Sequence, residues 1–504
     1  MNKRKDKILF WLESYYLHFG ISKALIEKYD CDPYALIVCS PKQKSFFDNQ
    51  KLVKFKKIWH VRDYINLNNL NHDFEKLKYF ENKFSIPLQK IVYADRLFYK
   101  YNEFHSFSDD EIFSIIQQEI EFYDNVLDEI SPDYVVMRIP DHHDIDLFYE
   151  ICKAKKIPVL LLSPMRMGDR YRVSSDPEAP ILFDKSKDIE IQSFDTLIKH
   201  VESFSKAHKS AIQKIQSKNS QKLSAFILLF STFRSSNINS FRDVGKTPWT
   251  TITKGISLIL LRSYRKSFLD KNAKTSLPMD YPYVYFPLHM EPERNLSKKG
   301  QFYSDQISVI KNIAQSLPVE MNLLVKEHPS MRLVGWRPLK FYKEILNLPK
   351  VTLIHPSVSS KSIIQNSTLI VAVAGTTALE AAFYEKPSIV FSYIDCSLLS
   401  CVSKVNNLEE LPTIIKKSLD SQVNLVELNH YVHEVVNSSF TCNIFDLNLL
   451  AADLFAAGGF INLNQISESK MKDFLEENSA SFDLLANEHI KKIELIKQKN
   501  SDNI

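Results

Sequence analysis

Glycine is scarce: nine residues in 504, at positions 20, 168, 245, 255, 300, 335, 375, 458 and 459. Neither a G-x-G-x-x-G fingerprint nor a Walker A loop can be written with that spacing. This excludes the glycine-wrapped phosphate sites of dinucleotide-dependent dehydrogenases and P-loop ATPases. Any phosphate this chain binds is held by side chains and helix ends. The six cysteines, Cys31, Cys39, Cys152, Cys396, Cys401 and Cys442, contain no C-x-x-C pair. Neither a zinc site nor a disulfide framework is indicated, and a reducing cytoplasm fits. Long apolar runs are missing too: the nearest, 223–230, falls far short of the roughly 20 residues that cross a bilayer. The run 8–12 is too short for the core of a secretory signal and is closed by Glu13, so it reads as a first strand. No internal repeat stands out at solenoid periods.

What remains is an ordinary globular composition, 44% hydrophobic and 25% charged, long enough for two or three domains. A strand over 7–13, an amphipathic helix over 17–28 and a strand over 34–39 make a βαβ opening, and 51–60 reads as an edge strand. Residues 61–108 are polar and aromatic without a usable period. Asp109 and Asp110 are read as the cap of a helix over 111–130, where Ile112, Ile115, Ile116, Ile120, Tyr123, Val126 and Ile130 share one side, a core stripe. Strands over 133–137 and 158–162 flank the next helix. Between 201 and 275, fourteen Lys/Arg stand against three Asp/Glu, although the whole chain carries only +4. That concentration suits an anionic partner, a membrane surface or an acidic lipid-linked glycan. Phe226, Phe230, Phe233, Trp249 and Tyr264 are interleaved, but no nucleic-acid motif accompanies them. A solvated basic face over a hinge would satisfy the same count.

A polar linker over 276–281 precedes a second alternating unit with strands over 283–286, 323–325, 351–354, 368–374 and 388–391. Lys326-Glu327-His328-Pro329 leaves the carboxyl end of one strand, where ligands of open α/β sheets collect. Pro329 keeps His328 out of helical geometry, so the imidazole and the Lys326 ammonium are presented by a fixed backbone suited to an anion. Gly375-Thr376-Thr377 ends another strand and opens a helix containing Glu380. Its free N–H groups, dipole and two hydroxyls make a phosphate seat, although the same turn serves as a plain helix cap. The first strand delivers His289 and Glu293 to the same edge, as substrate contacts or as hydrogen-bonded supports. His355-Pro356 duplicates the His-Pro pair, and spacing alone does not choose between them.

In the first unit, Arg138, Asp141, His142, His143, Asp144 and Asp146 follow a strand. They are candidates for general base or acceptor contact. Carboxylates at a helix start are also expected for dipole reasons. The triplet Asp144-Ile145-Asp146 is of a kind that ligates metals, yet arises by chance in charged helix starts. Arg166 and Arg170 follow the next strand as further cleft candidates.

Read together, Tyr283-Val-Tyr-Phe-Pro-Leu-His289-Met-Glu-Pro-Glu293, Phe302-Tyr303, Asp305-Gln306, Val325-Lys-Glu-His-Pro329, Arg337-Pro338, Phe341-Tyr342, Gly375-Thr-Thr-Ala-Leu-Glu380 and Lys386-Pro387 resemble the capsule polysaccharide biosynthesis family in order and spacing. The likeness runs over residues 280–405 and more loosely over 139–172. That family's second stretch begins Pro-His, whereas Pro140 here is followed by Asp141, so the matching histidine stays open. The resemblance implies a GT-B-like α/β fold of two Rossmann-like doubly wound domains facing a cleft. Residues 1–184 would form the acceptor side and 281–440 the nucleotide-sugar side. A basic helical region and linker over 185–280 would join them, and helices over 441–504 would pack back on the hinge.

The resemblance further implies a glycosyltransferase acting at the cytoplasmic side of the membrane, with CMP-linked Kdo or another nonulosonate as donor and a surface polysaccharide or lipid-linked glycan as acceptor. In that frame Lys326, His328, Thr376 and Thr377 hold the departing phosphate, Pro329 and Gly375 shape the turns, and Glu380 binds ribose or base. Asp141, His142 and Asp144 supply acid-base groups. Side chains and a helix end provide the charge, so neither metal nor cofactor is expected. The rivals are a CDP-alcohol phosphotransferase of the teichoic-acid polymerase kind, a non-hydrolysing sugar-nucleotide epimerase, and a non-catalytic scaffold of a capsule export complex.

Overall fold

The computed structural model describes residues 4–14, 16–67, 70–100, 102, 104–201, 244–278, 280–332, 334–455 and 466–502. Two sheets organise them. The first is built from β1 (Asp6–Glu13), β2 (Cys31–Val38), β3 (Lys57–His60), β4 (Tyr134–Met137), β5 (Val159–Pro164) and β6 (Arg170–Ser174). The second is built from β7 (Tyr283–Pro287), β8 (Asn322–Lys326), β9 (Val351–Ile354), β10 (Leu369–Ala372), β11 (Ser388–Val390) and β12 (Val402–Lys404), and a last short strand, β13 (Phe440–Thr441), returns to the first. Strand orders are β13-β6-β5-β4-β1-β2-β3 and β12-β11-β10-β7-β8-β9. All pairs of the second sheet are parallel, and in the first only β6 runs against the rest, so that its pairs with β5 and β13 are the antiparallel ones. In each sheet the first strand lies inside, with successive strands added outward on both sides. This is the doubly wound α/β order the sequence implies, with topological switch points between β1 and β4 and between β7 and β10.

Parallel strands covered by helices on both faces must be apolar throughout, which is how β8 and β10 read. Alternation still decides which face each residue serves. Phe286, Leu323 and Val325 enter the larger core of the second sheet, while Tyr285, Leu324 and Ile370 enter the smaller one beneath the helices Ser360–Asn366 and Thr377–Phe383. In the first sheet Leu9 and Trp11 pack with the helices Asp109–Ile130 and His143–Ala154. Ile8, Phe10 and Leu12 pack with Phe474, Phe482 and Leu485 of the carboxyl-terminal helices, which therefore return across the first sheet. Gly20 permits that return, since a Cβ there would lie 2.2 Å from the Phe482 ring.

Several elements differ from the sequence reading. The cap of Asp109–Ile130 is Ser108, in a reciprocal box with Glu111, and Asp109 and Asp110 lie inside the first turn. Within the helical region expected over 441–504, the last described part is two helices, Glu468–Glu477 and Ser479–Asp502. The unassigned stretch 61–108 holds the helices Phe74–Phe84 and Leu88–Ala94, which bury Leu77, Phe80, Phe84, Leu88 and Ile91. Of the basic middle region, 202–243, with Phe226, Phe230 and Phe233, lies outside the described residues, and Pro248–Asn272 is a helix. Among the described residues no helix is long and apolar enough to cross a membrane.

Candidate functional site

The loops leaving β7 and β10 touch at the second switch point. The Ala374 backbone N–H donates to His289 Nε2 at 3.3 Å, and a Cβ on Gly375 would stand 3.1 Å from His289 Cε1. A side chain at 375 would press on the imidazole, so glycine suits this close approach. His289 is held by its own N–H, which donates to Gln306 Oε1 at 2.7 Å, and by Arg337, which donates to its carbonyl. Burial pushes the imidazole down to about 4; neighbouring His328 and Arg337 push the same way, while Glu291 opposes them. The ring is neutral at pH 7, with Nε2 as its acceptor.

The Lys-Glu-His-Pro turn divides its labour. Glu327 is fully buried and accepts from Arg337 Nε at 2.9 Å and Tyr342 OH at 2.7 Å. Arg337 also pairs with Glu291 at 3.0 Å. The buried guanidinium thus locks the exit of β7 to that of β8, which explains the Arg337 and Tyr342 motifs. His328, half-buried, accepts at Nδ1 from the Ser330 N–H at 3.2 Å. Lys326 alternates with Val325, so its ammonium is turned to the opposite sheet face, where it donates to Ser360 Oγ at 2.6 Å. Pro329 opens a 3₁₀ turn, Pro329–Arg332. The duplicate His355 is engaged by Ser357 at 2.6 Å and Asp270 at 3.2 Å.

At the seat itself no side chain caps the helix Thr377–Phe383. The Thr376 hydroxyl donates to Glu380 Oε1 at 3.4 Å. Gly375 and Thr376 line a partly open cleft whose other walls include Asn295, Lys299, Asp395 and, from the first domain, Arg166. Arg166 has positive φ, 60°, and its guanidinium makes no hydrogen bond or ion pair among the described residues. Glu293 accepts from Asn295 at 2.8 Å; burial pushes its carboxyl up against the pull of Arg166.

Across the cleft, the first switch point carries a charge chain. Glu13 accepts from Arg138 Nε at 2.6 Å, Arg138 also pairs with Asp141, and Arg96 donates to Asp141 at 3.0 Å and contacts His142 Nε2 at 3.2 Å. Burial would raise the Asp141 carboxyl, but Arg138, His142 and Arg96 override it and hold the group below the usual range. Asp144 is buried, its carboxylate accepting from the Ile145 N–H at 2.9 Å. Asp146 pairs with Lys298 of the other domain. Arg170 is corrected as a cleft residue: its guanidinium donates to Val436 O at 3.1 Å and Ser439 Oγ at 3.2 Å, bracing the chain's return to the first sheet. Two features went unread in the sequence. His143 is buried between Asp95 at 2.9 Å and Glu119 at 3.3 Å, partners distant in sequence. Lys299, at the end of the short helix Asn295–Lys299, and Asp395, from the loop after β11, reach the cleft without a sequence motif. Among the described residues no group of three or more His, Cys, Asp or Glu is arranged to hold a metal ion.

Residues 192–393 match the family described as capsule polysaccharide biosynthesis protein, the one the motifs resemble. No curated protein matches the chain. Solved structures similar to it include UDP-GlcNAc 2-epimerase from Methanocaldococcus jannaschii, at 14% identity over 86% of this chain and 99% of that one, TM-score 0.24. Another is Thermosulfurimonas dismutans KpsC, a beta Kdo 2,7 transferase, at 11% identity over 62% and 79%, TM-score 0.30. A third is S. aureus MnaA with UDP, at 12% identity over 92% and 98%, TM-score 0.26.

Proposed function

From the premise that residues 192–393 carry the pattern of the capsule polysaccharide biosynthesis family, we propose that this chain is a glycosyltransferase, moving a sugar from a nucleotide donor to a surface polysaccharide or lipid-linked glycan. One observation carries the reading: Arg166 of the first domain, whose guanidinium makes no hydrogen bond or ion pair among the described residues, lines the same cleft as the uncapped turn at Gly375 and Thr376. Breaking the donor's glycosidic bond leaves negative charge on the departing phosphate. Preorganised N–H groups at 376–377, the Arg166 guanidinium and the His328 imidazole stabilise that charge without reorganising. His289 and Arg337 hold the two loops in place, and Glu380 takes a ribose or base contact. On the acceptor side, His142 is the acid-base group, steadied by Arg96 and Asp141. No step calls for a metal or cofactor.

The donor we assign is a CMP-linked nonulosonate such as CMP-Kdo, and the place of action the cytoplasmic face of the membrane. Trp249, Ile256, Leu260 and Tyr264 follow one side of the helix Pro248–Asn272 and are 73, 56, 67 and 64% exposed, which supports peripheral contact with an anionic bilayer. The test is turnover of CMP-Kdo against CDP-glycerol with a capsule-type glycan acceptor. Transfer from CMP-Kdo supports the reading. Transfer only from CDP-glycerol selects the phosphotransferase, and turnover of a nucleotide-sugar without acceptor selects the epimerase. Undiminished polysaccharide output with His328→Ala would leave a scaffold.

A further inference from the structure

Among the described residues the acids around the cleft are paired, with one exception. Glu178 binds Arg294 and lies 2.8 Å from Lys299, Asp146 binds Lys298, Asp141 binds Arg96 at 3.0 Å, and Glu293 accepts from Asn295 at 2.8 Å. Asp395 lines the cavity beside Gly375 and Thr376, yet its carboxylate accepts no hydrogen bond and makes no ion pair among the described residues. Its position is nonetheless fixed. The Ile181 N–H donates to the Asp395 carbonyl at 3.3 Å, the Ile394 N–H to Ser397 Oγ at 2.8 Å, and Ser392 Oγ to the Lys299 carbonyl at 2.7 Å.

Resting on the transferase reading above, we propose that Asp395 is a specificity-determining residue that accepts hydrogen bonds from hydroxyls of the transferred sugar. A half-buried carboxylate that lines the cavity without a protein donor among the described residues leaves its acceptor sites to whatever occupies the cleft, and a ligand that brings donors there satisfies them. Burial already pushes this carboxyl up, with Lys299, Arg166 and Arg172 opposing and Glu178 adding to it. A phosphate cannot supply the donors: its charge would repel the carboxylate, and Arg166 on the same cavity is its natural partner. A polyol can. The division is therefore Arg166 for phosphate and Asp395 for sugar, side by side in one cleft.

The two ligand parts are separated by calorimetry with CMP against CMP-Kdo and UDP against UDP-GlcNAc. For the pair that wild type binds, Asp395→Asn should bind the bare nucleotide as tightly or more tightly, because a like charge is gone. It should bind the nucleotide-sugar about tenfold more weakly or worse, the loss expected of a charged acceptor. Asp395→Ser, of smaller volume, is the second variant should the first not fold. If both change the two affinities by the same factor, Asp395 is not a sugar residue and only this inference falls. If wild type binds none of the four probes, the nucleotide-sugar reading falls, and this inference with it.

Discussion

His289 is neutral because it is buried beside His328 and Arg337, so an anion arriving at Gly375 changes its proton affinity. A phosphate favours the imidazolium, which raises the pKa in the complex above the value of about 4 in the free protein. Between those two values the complex holds more protons than its parts, and affinity must rise as pH falls. CMP-Kdo, whose phosphodiester does not titrate there, should bind more tightly at pH 5.5 than at pH 7.5, with a buffer-dependent heat of proton uptake. His289→Asn should reduce the dependence; equal affinities in wild type would remove His289 from the anion's surroundings. Gly375→Ala tests the same contact sterically. Its Cβ would press on His289 at 3.1 Å, a few tenths of an ångström too close. The expectation is a fold of unchanged melting temperature with about a hundredfold less transfer, the scale of a small displacement at a reacting centre. Glu327 behaves differently, because its partners are structural. Glu327→Ala leaves Arg337 with Glu291 as its remaining carboxylate and takes the acceptor from the buried Tyr342 hydroxyl, and should cost about 1–3 kcal/mol in urea unfolding. The Lys-x-His-Pro motif was legible in the sequence as a whole, but not that its Glu is the anchor and its Lys faces away, since both depend on which sheet face each residue meets.

Elements were legible where one physical rule acted alone. The apolar runs of β7, β8 and β10 could only be buried parallel strands, and the stripe in Asp109–Ile130 could only be a helix. The helix Leu425–Asn437 was not assigned, and Phe74–Phe84 was missed because Leu77, Phe80 and Phe84 are set among charges and gain their meaning from the core they join. The two-residue β13 has no local signature, being defined by its pairing with β6. The helix Pro248–Asn272 carries its own prediction. Leu258 and Arg265 face Gly335 and Trp336, and the opposite side bears Trp249, Ile256, Leu260 and Tyr264. Sedimentation with vesicles containing phosphatidylserine should deplete the protein from solution, less so at 0.5 M salt. Replacing those four residues together by Ser should abolish the effect without lowering the melting temperature. Equal sedimentation of the variant would reassign the stripe.

At the scale of the whole molecule, the chain's last helix closes the first domain through a contact that acid should open. His18 on Leu17–Lys28 and His489 on Ser479–Asp502 are buried, and each has a ring nitrogen, Nε2, without a hydrogen-bond partner among the described residues. Burial pushes them to about 3 and about 4, with His489 adding to the shift of His18. Unfolded histidine titrates near 6.5, so the unfolded chain binds more protons below that pH. The contribution of these groups is therefore complete above about pH 6.5 and is lost as pH falls toward their folded values. Carboxylates such as Asp141 and Glu178, held low by their arginines and lysines, lose theirs only further down. The stability curve should thus begin to fall a full unit or more before the carboxylate range. Guanidinium midpoints at pH 7.0, 6.0 and 5.0 should drop across this window in wild type, and His489→Leu, which leaves only His18 of this pair to titrate, should reduce the drop. Hydrogen exchange at pH 5.0 should show Ser479–Asp502 losing protection ahead of the second sheet. If the second sheet opens first, the histidine pair is not the weak joint, and the boundary between Arg294, Lys298 and Lys299 on one side and Glu178 and Asp146 on the other yields before it.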